Sequence, residues 1–469
     1  MPHNRLIPLI LVKGTMLIPF RCLRTAIRPE ILLCLSMAAA CMQNANTLKN
    51  ASTLSELKRL ADQKDYFKLA AFFETNKSGL NDEYRLYFSA IIDNKFNRNE
   101  DCIAHVDSVV NQYPGKLPGK EMAVLYRSES DSYFKASRYR DALMADSNIL
   151  LHFKSSITKD ETEDIGNDLK RLDALRNTPP QQAEIGKPLP ITWKRDRIGL
   201  IEIPFQIHGH SFDAIFDTRA NISSISETFA KQLGLRMLKA SYNESAGITG
   251  ITFKTSIGIA DSLMLGNVLL KNIVFQVMPD SVLYIAAIRF RLNIIIGLPV
   301  IVQCREIRFF RAGKMIIPEN PSKEDLHNLA LDDLDPVILL TTGTDSLSFH
   351  FDSGATTSDF YVTFYEKYRK EIEGKATKRT MEFGGAGGSQ KKDVYVLRNF
   401  HADLAGTPVI LDSVTVLTKK IYPGERFYGN LGQDFMANFS ELILNFRYMY
   451  IKGVGNEKNG MVKKVFSGN

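Results

Sequence analysis

Two stretches decide the fold: Phe216-Asp217-Thr218-Arg219-Ala220 and Phe351-Asp352-Ser353-Gly354-Ala355. Each follows an apolar run of β character and reaches an aspartate with a hydroxyl residue behind it. The copies lie 352 − 217 = 135 residues apart, and the same offset carries Ala220 to Ala355, Gly250 to Gly385 and Ile296-Gly297 to Leu431-Gly432. Four matches in one register over two stretches of about a hundred residues indicate a duplicated lobe. An aspartate at the same place in each lobe predicts a paired-carboxylate site on a pseudo-twofold axis.

The flanking pattern supports strands. Ile201, Ile203, Phe205 and Ile207 alternate, His208-Gly209-His210-Ser211 turns the chain, and Phe212, Ala214 and Phe216 alternate up to Asp217. The second copy repeats this: Val337 to Leu340, a turn at Thr342-Gly343-Thr344-Asp345, then Leu347, Phe349 and Phe351 up to Asp352. His208 and His210 are expected in solvent rather than on a metal.

With their surroundings, the two stretches resemble the D-[TS]-G-A signature of retropepsin-like aspartic proteases. Phe229 to Leu235 is similar to the helical turn after that motif. Gly247-Ile248-Thr249-Gly250 and Phe383-Gly384-Gly385-Ala386-Gly387-Gly388 resemble flap hairpins. Ile294 to Leu298 and Leu431 to Phe435 resemble the apolar-Gly segment that backs the aspartate loop, 80 residues beyond the aspartate in both lobes (297 − 217 and 432 − 352). The resemblance covers roughly residues 191–455. It implies an aspartic endopeptidase in which Asp217 and Asp352 activate a water, Thr218 and Ser353 brace the loops, Gly354 allows close approach, and flaps carrying Gly247, Gly250, Gly384 and Gly385 cover an extended peptide or protein substrate. Two adjacent carboxylates share one proton, so one can accept while the other donates. The resemblance implies no cofactor and no metal.

One residue departs from the signature. Arg219 stands where the family has glycine, while Gly354 keeps it. Three outcomes stay open on sequence: the arginine points away, it pairs with a carboxylate and silences the dyad, or it contacts substrate. The alternative function is therefore a catalytically silent peptide-binding protein of the same fold. The glycine run 384–388 lacks the Gly-Lys-Ser/Thr of a phosphate cradle, which favours a flap tip.

The rest of the chain adds domains. Residues 1–41 read as an export segment: Arg21, Arg24 and Arg28 precede the short apolar run Ile31–Ala40, and Ala38-Ala39-Ala40-Cys41 resembles a bacterial lipoprotein signal with Cys41 as the lipidated residue. This predicts a periplasmic or outer-membrane location, with a lipid anchor at Cys41 or, because Ala38 stands where the lipoprotein signal usually has leucine, plain cleavage after the alanines. Residues 42–177 show helical spacing, as in Leu54, Leu57, Leu60 and Ala61 after the capping pattern Thr53-x-x-Glu56. Phe67-x-x-Ala70 and Tyr139-x-x-Ala142 resemble tetratricopeptide junctions, which leaves open a protein partner for this domain. A proline-rich linker (178–190) follows, then lobe 1 (191–320), an inter-lobe linker (321–335), lobe 2 (336–455) and a tail (456–469). The expected class is thus an all-α repeat-like domain followed by an all-β, two-lobed acid-protease-type domain. At 469 residues and 44% apolar content the chain can fill several cores. A net charge of +7 without clustered basic and aromatic residues argues against nucleic acid. Five cysteines without a C-x-x-C pair exclude a zinc ribbon.

Overall fold

The computed structural model describes residues 50–246, 251–285, 288–385, 388–421 and 424–455. The helical domain and both lobes form one compact unit from Thr53 onward. Helices dominate residues 50–175 and strands nearly everything after them.

The two lobes repeat one strand arrangement. In lobe 1 the strand His210–Phe216 runs parallel to Ile294–Ile296, with Ile295 beside Ile215 and Ile296 beside Phe216. The strand Ser223–Ser226 flanks Ile294–Ile296 antiparallel. In lobe 2 Asp345–Phe351 runs parallel to Gly429–Leu431, and Asp359–Phe360 flanks it antiparallel. Gly297 and Gly432 make this possible. A Cβ on Gly297 would lie 2.4 Å from the Ala220 carbonyl oxygen, and one on Gly432 2.8 Å from that of Ala355. Neither backbone could yield, so both positions require glycine for space.

A third sheet joins the lobes. Glu306–Phe310 pairs antiparallel with Phe439–Asn445, placing Ile307 opposite Leu444, Arg308 opposite Ile443 and Phe309 opposite Leu442. Adding the sequence offset to 307, 308 and 309 gives 442, 443 and 444. The register is therefore its own image under the duplication, and the pseudo-twofold axis passes between Arg308 and Ile443. Ile307, Phe309, Phe439, Leu442, Ile443 and Leu444 of these strands are buried, which ties the axis to the core.

The helical domain is built from hairpins with one shared turn. Lys64, Asn97 and Ser137 each take a left-handed φ near +56°, at the junctions before Tyr66–Asn76, Asn99–Gln112 and Tyr139–His152. The equivalent buried pairs are Tyr66 with Leu69 and Tyr139 with Ala142, with Cys102 filling the middle unit. The first junction therefore sits one residue before the expected Phe67-x-x-Ala70, and the middle unit falls into register at Asn97.

This domain packs against both lobes. Tyr139, Ala142, Leu172 and Leu175 share a cluster with Ile222, Tyr242, Ile257 and Ile259 of lobe 1. On lobe 2, Lys64 Nζ lies 2.6 Å from Asp332 Oδ2, the Tyr66 hydroxyl donates to Asp332, and Lys95 lies 3.5 Å from Asp333. The stretches read as linkers are also built in. Gln182–Ile185 is a strand paired with residues 268–271, and Leu329–Asp332 pairs with Asp335–Thr342.

Candidate active site

The aspartate loops begin where a buried strand ends. Phe216 and Phe351 are fully buried, and the aspartate that follows in each lobe is half-buried. The Asp217 N–H donates to the Ile296 carbonyl at 3.0 Å, and the Asp352 N–H to that of Leu431 at 2.9 Å. Hydroxyls hold the backing glycines: the N–H of Gly297 donates to Ser223 Oγ and that of Gly432 to Ser358 Oγ, both at 3.0 Å.

Thr218 and Ser353 lock the loops together. The Thr218 N–H donates to Ser353 Oγ at 3.1 Å, and the Ser353 N–H donates to Thr218 Oγ1 at 3.0 Å. Each hydroxyl then donates across the lobe boundary, Thr218 to the Phe351 carbonyl at 2.9 Å and Ser353 to the Phe216 carbonyl at 2.8 Å. Both side chains are fully buried. Thr218→Val keeps the shape but strands the Ser353 N–H and the Phe351 carbonyl. At about 1–3 kcal/mol for each orphaned buried group, it is expected to cost about 2–6 kcal/mol. Urea denaturation of Thr218→Val beside Thr218→Ser measures this, with the serine variant close to the parent.

The interlock sets the two carboxylates side by side. Asp217 Oδ1 accepts the Arg219 N–H at 2.8 Å, and Asp352 Oδ1 accepts the Gly354 N–H at 2.9 Å. Burial and then the charge of Asp352 push the Asp217 carboxyl up to about 7. A carboxyl that keeps its proton to neutrality beside a second carboxylate is the electrostatic signature of a proton-sharing pair.

Gly354 lies against Asp217. A Cβ there would sit 2.4 Å from Asp217 Cγ. Its φ is not left-handed, so glycine is demanded by space rather than by backbone conformation. Arg219 occupies the equivalent place in lobe 1 and reaches across into lobe 2. Its guanidinium donates to Asp335 at 3.3 and 3.4 Å, to the Tyr361 hydroxyl at 3.3 Å and to Asn430 Oδ1 at 3.2 Å. It lies on neither dyad carboxylate.

Three residues near the dyad were missed by sequence reasoning. Asn430 is buried, and its Nδ2 donates to Asp352 Oδ2 at 2.9 Å. The available signal was a polar residue in a run whose lobe 1 counterpart is Ile295. Asp359 sits beside Asn430 in the sheet, half-buried, and burial pushes its carboxyl up to about 7. His350, one residue before Phe351, is buried with its ring 4.4 Å from that of Phe427. Burial, Arg219 and Lys64 hold it well below the usual histidine range, so it is neutral and offers no cation to the dyad.

Hairpins occupy the stretches of chain where flaps were expected. Arg236–Ala246 pairs with Ile251–Leu265 in lobe 1, and Thr377–Gly385 with Gly388–Leu404 in lobe 2. Gly384 pairs with Ser389 and Gly385 with Gly388, next to the hairpin tip. Gly247, Gly250 and Cys41 lie outside the described residues.

Residues 203–300 match the family model described as aspartyl protease. The match spans lobe 1 from the strand before the aspartate loop to the helix behind it, and it supports an aspartic-protease assignment for this lobe. The second lobe lies outside the match and is related to the first by the internal repeat. No curated protein matches the chain.

Proposed function

We propose that the protein is an aspartic endopeptidase that hydrolyses peptide bonds with a water activated between Asp217 and Asp352. The reading is supported by the reciprocal bonding of Thr218 and Ser353 across the lobe boundary, beside an Asp217 carboxyl that burial and Asp352 push up to about 7. The ionised carboxylate takes a proton from the water as its oxygen bonds the peptide carbon. The protonated one gives its proton to the carbonyl oxygen. The resulting tetrahedral species collapses as the amide nitrogen gains a proton and leaves. The reading implies an extended peptide as substrate, a form that pairs through its backbone. Arg219 is engaged by Asp335, Tyr361 and Asn430, which argues against a direct ion pair silencing the dyad. The leader read at residues 1–41 supports action outside the cytoplasm, with Cys41 as the lipid-bearing residue.

A pH profile follows from the shared proton. Catalysis needs one proton on the pair, and Asp217 retains it up to about 7. The expected kcat/KM therefore falls about tenfold per pH unit once the pH has risen past about 7. Initial rates on a quenched peptide from pH 3 to 9 measure this. A rate flat to pH 9 contradicts the reading. A protein that binds a statine-type inhibitor yet cuts nothing would instead be a peptide-binding relative.

A further inference from the structure

We propose that Asn430, oriented by Arg219, is a positioning residue that keeps Asp352 the ionised member of the dyad and leaves the shared proton on Asp217. The inference rests on the reading above and assigns the two carboxylates separate roles: Asp352 takes the proton from water, and Asp217 gives one to the carbonyl oxygen.

The argument begins with what arginine can do. A guanidinium only donates. Arg219 Nη1 lies 3.2 Å from one terminal atom of Asn430, so that atom is the amide oxygen. The amide nitrogen then faces Asp352 Oδ2 at 2.9 Å, and a nitrogen carrying two hydrogens must donate there. The orientation of the amide is thus fixed by the arginine. The guanidinium is itself held by both Asp335 oxygens and the Tyr361 hydroxyl.

Asp352 consequently accepts at both oxygens, from the Gly354 N–H at Oδ1 and from Asn430 at Oδ2. Donors on both oxygens favour the charged carboxylate. Among the described residues Asp217 accepts from backbone groups alone, the Arg219 N–H at Oδ1 and the Ala220 N–H, and the residue equivalent to Asn430 in its lobe is Ile295, whose side chain has nothing to donate. The duplicated lobes are alike in their loops and unlike at this point, which breaks the degeneracy of the pair. Arg219 gains a purpose in the same step, because a glycine at 219 could not orient Asn430.

The other groups around Asp352 are compatible with this assignment. Asp217 carries the proton. Asp359 lies on the neighbouring strand, with its carboxyl raised to about 7, and is neutral at acid pH. Asp335 is engaged by Arg219, His350 is neutral, and Tyr361 supplies only a hydroxyl.

Asn430→Ile copies lobe 1 into lobe 2 and removes the donor. The acid limb of kcat/KM against pH, which reports ionisation of the first carboxylate, is expected to move up by about one unit. Below that limb the rate falls about tenfold, while the plateau changes less than threefold. Arg219→Met, which leaves Asn430 in place but unoriented, is expected to move the limb the same way by less, and it serves where Asn430→Ile melts early. An unmoved limb overturns the proposal, whether the rate stays the same or drops equally at every pH. If the parent cuts nothing, the endopeptidase reading fails by itself. The inference is then read from carbon-13 carboxyl shifts of the full chain, assigned with Asp352→Asn. At about pH 5 the Asp352 signal is expected in the carboxylate range and that of Asp217 in the carboxylic-acid range, with Asn430→Ile bringing the two together. Indistinguishable shifts in the parent overturn it.

Discussion

Replacing Asp352 with asparagine is expected to lower kcat/KM on a peptide substrate by about a thousandfold or more, and Asp217→Asn to do the same. Each change removes either the acceptor of the water proton or the donor to the carbonyl oxygen. Each function is worth about a hundred- to ten-thousandfold. The two variants differ in stability, which makes the pair informative. At 352 both oxygens accept, from the Gly354 N–H and from Asn430 Nδ2. An asparagine there must aim its NH2 at one of these donors whichever way it turns, and one buried donor is left unmet at a cost of about 1–3 kcal/mol. At 217 the donors are backbone N–H groups, of Arg219 at Oδ1 and of Ala220, with no side-chain amide among the described residues, so an asparagine that faces them with its carbonyl oxygen can turn its NH2 toward the partner carboxylate. Both variants are expected to be inactive, with Asp352→Asn melting lower than Asp217→Asn. Steady-state rates and thermal melts on the same preparations measure both. Residual activity within tenfold of the parent in either variant contradicts the dyad.

Gly354→Ala is expected to be the most damaging change that leaves both carboxylates in place. The added methyl carbon would lie 2.4 Å from Asp217 Cγ and 2.5 and 2.7 Å from its oxygens. No unstrained contact is that short, and the loop is pinned by the Thr218–Ser353 interlock, so the Asp217 carboxylate must swing away. A displacement of about 1 Å in a reacting group costs about a hundredfold in rate. The folding penalty is that of overpacking, about 1–3 kcal/mol. The expected outcome is a folded protein with kcat/KM down a hundredfold or more. Arg219→Gly offers the contrast. It removes a side chain bonded to Asp335, Tyr361 and Asn430 without pushing on a carboxylate, so its effect is expected in the pH profile rather than as a collapse of rate.

Much of the architecture was legible because a duplication writes each constraint twice. The offset that links Asp217 to Asp352 also links Gly297 to Gly432, and both glycines face the carbonyl of the alanine three residues after the aspartate. Repetition made a three-residue motif specific. The alternation ending at Phe216 and Phe351 was legible for the same physical reason, since one face of each strand is buried.

What stayed hidden depended on contacts between distant parts of the chain. The direction of Arg219 is set by Asp335 and Asn430, 116 and 211 residues away. No spacing rule reaches that far. Within the helical domain the shared turn uses three unlike residues, Lys64, Asn97 and Ser137, in one left-handed conformation. With no common glycine to mark it, the pattern read best one residue late, at Phe67. The strand Gln182–Ile185 was invisible because its half-exposed residues carry little apolar signal, and its partner at residues 268–271 supplies the order. The sequence placed a linker before the lobes. In the structure the helices share their core with lobe 1 and reach lobe 2 through Lys64, Tyr66 and Lys95.

The central claim is that Asp217 and Asp352 together hydrolyse peptide bonds. Its most direct test is digestion of a mixed peptide library at about pH 5 by the purified protein, followed by mass spectrometry, with and without a statine-type transition-state analogue. The account predicts internal cuts that disappear when the analogue is added and are absent with Asp352→Asn. Intact peptides from a folded parent protein, or cuts that survive Asp352→Asn, would contradict it.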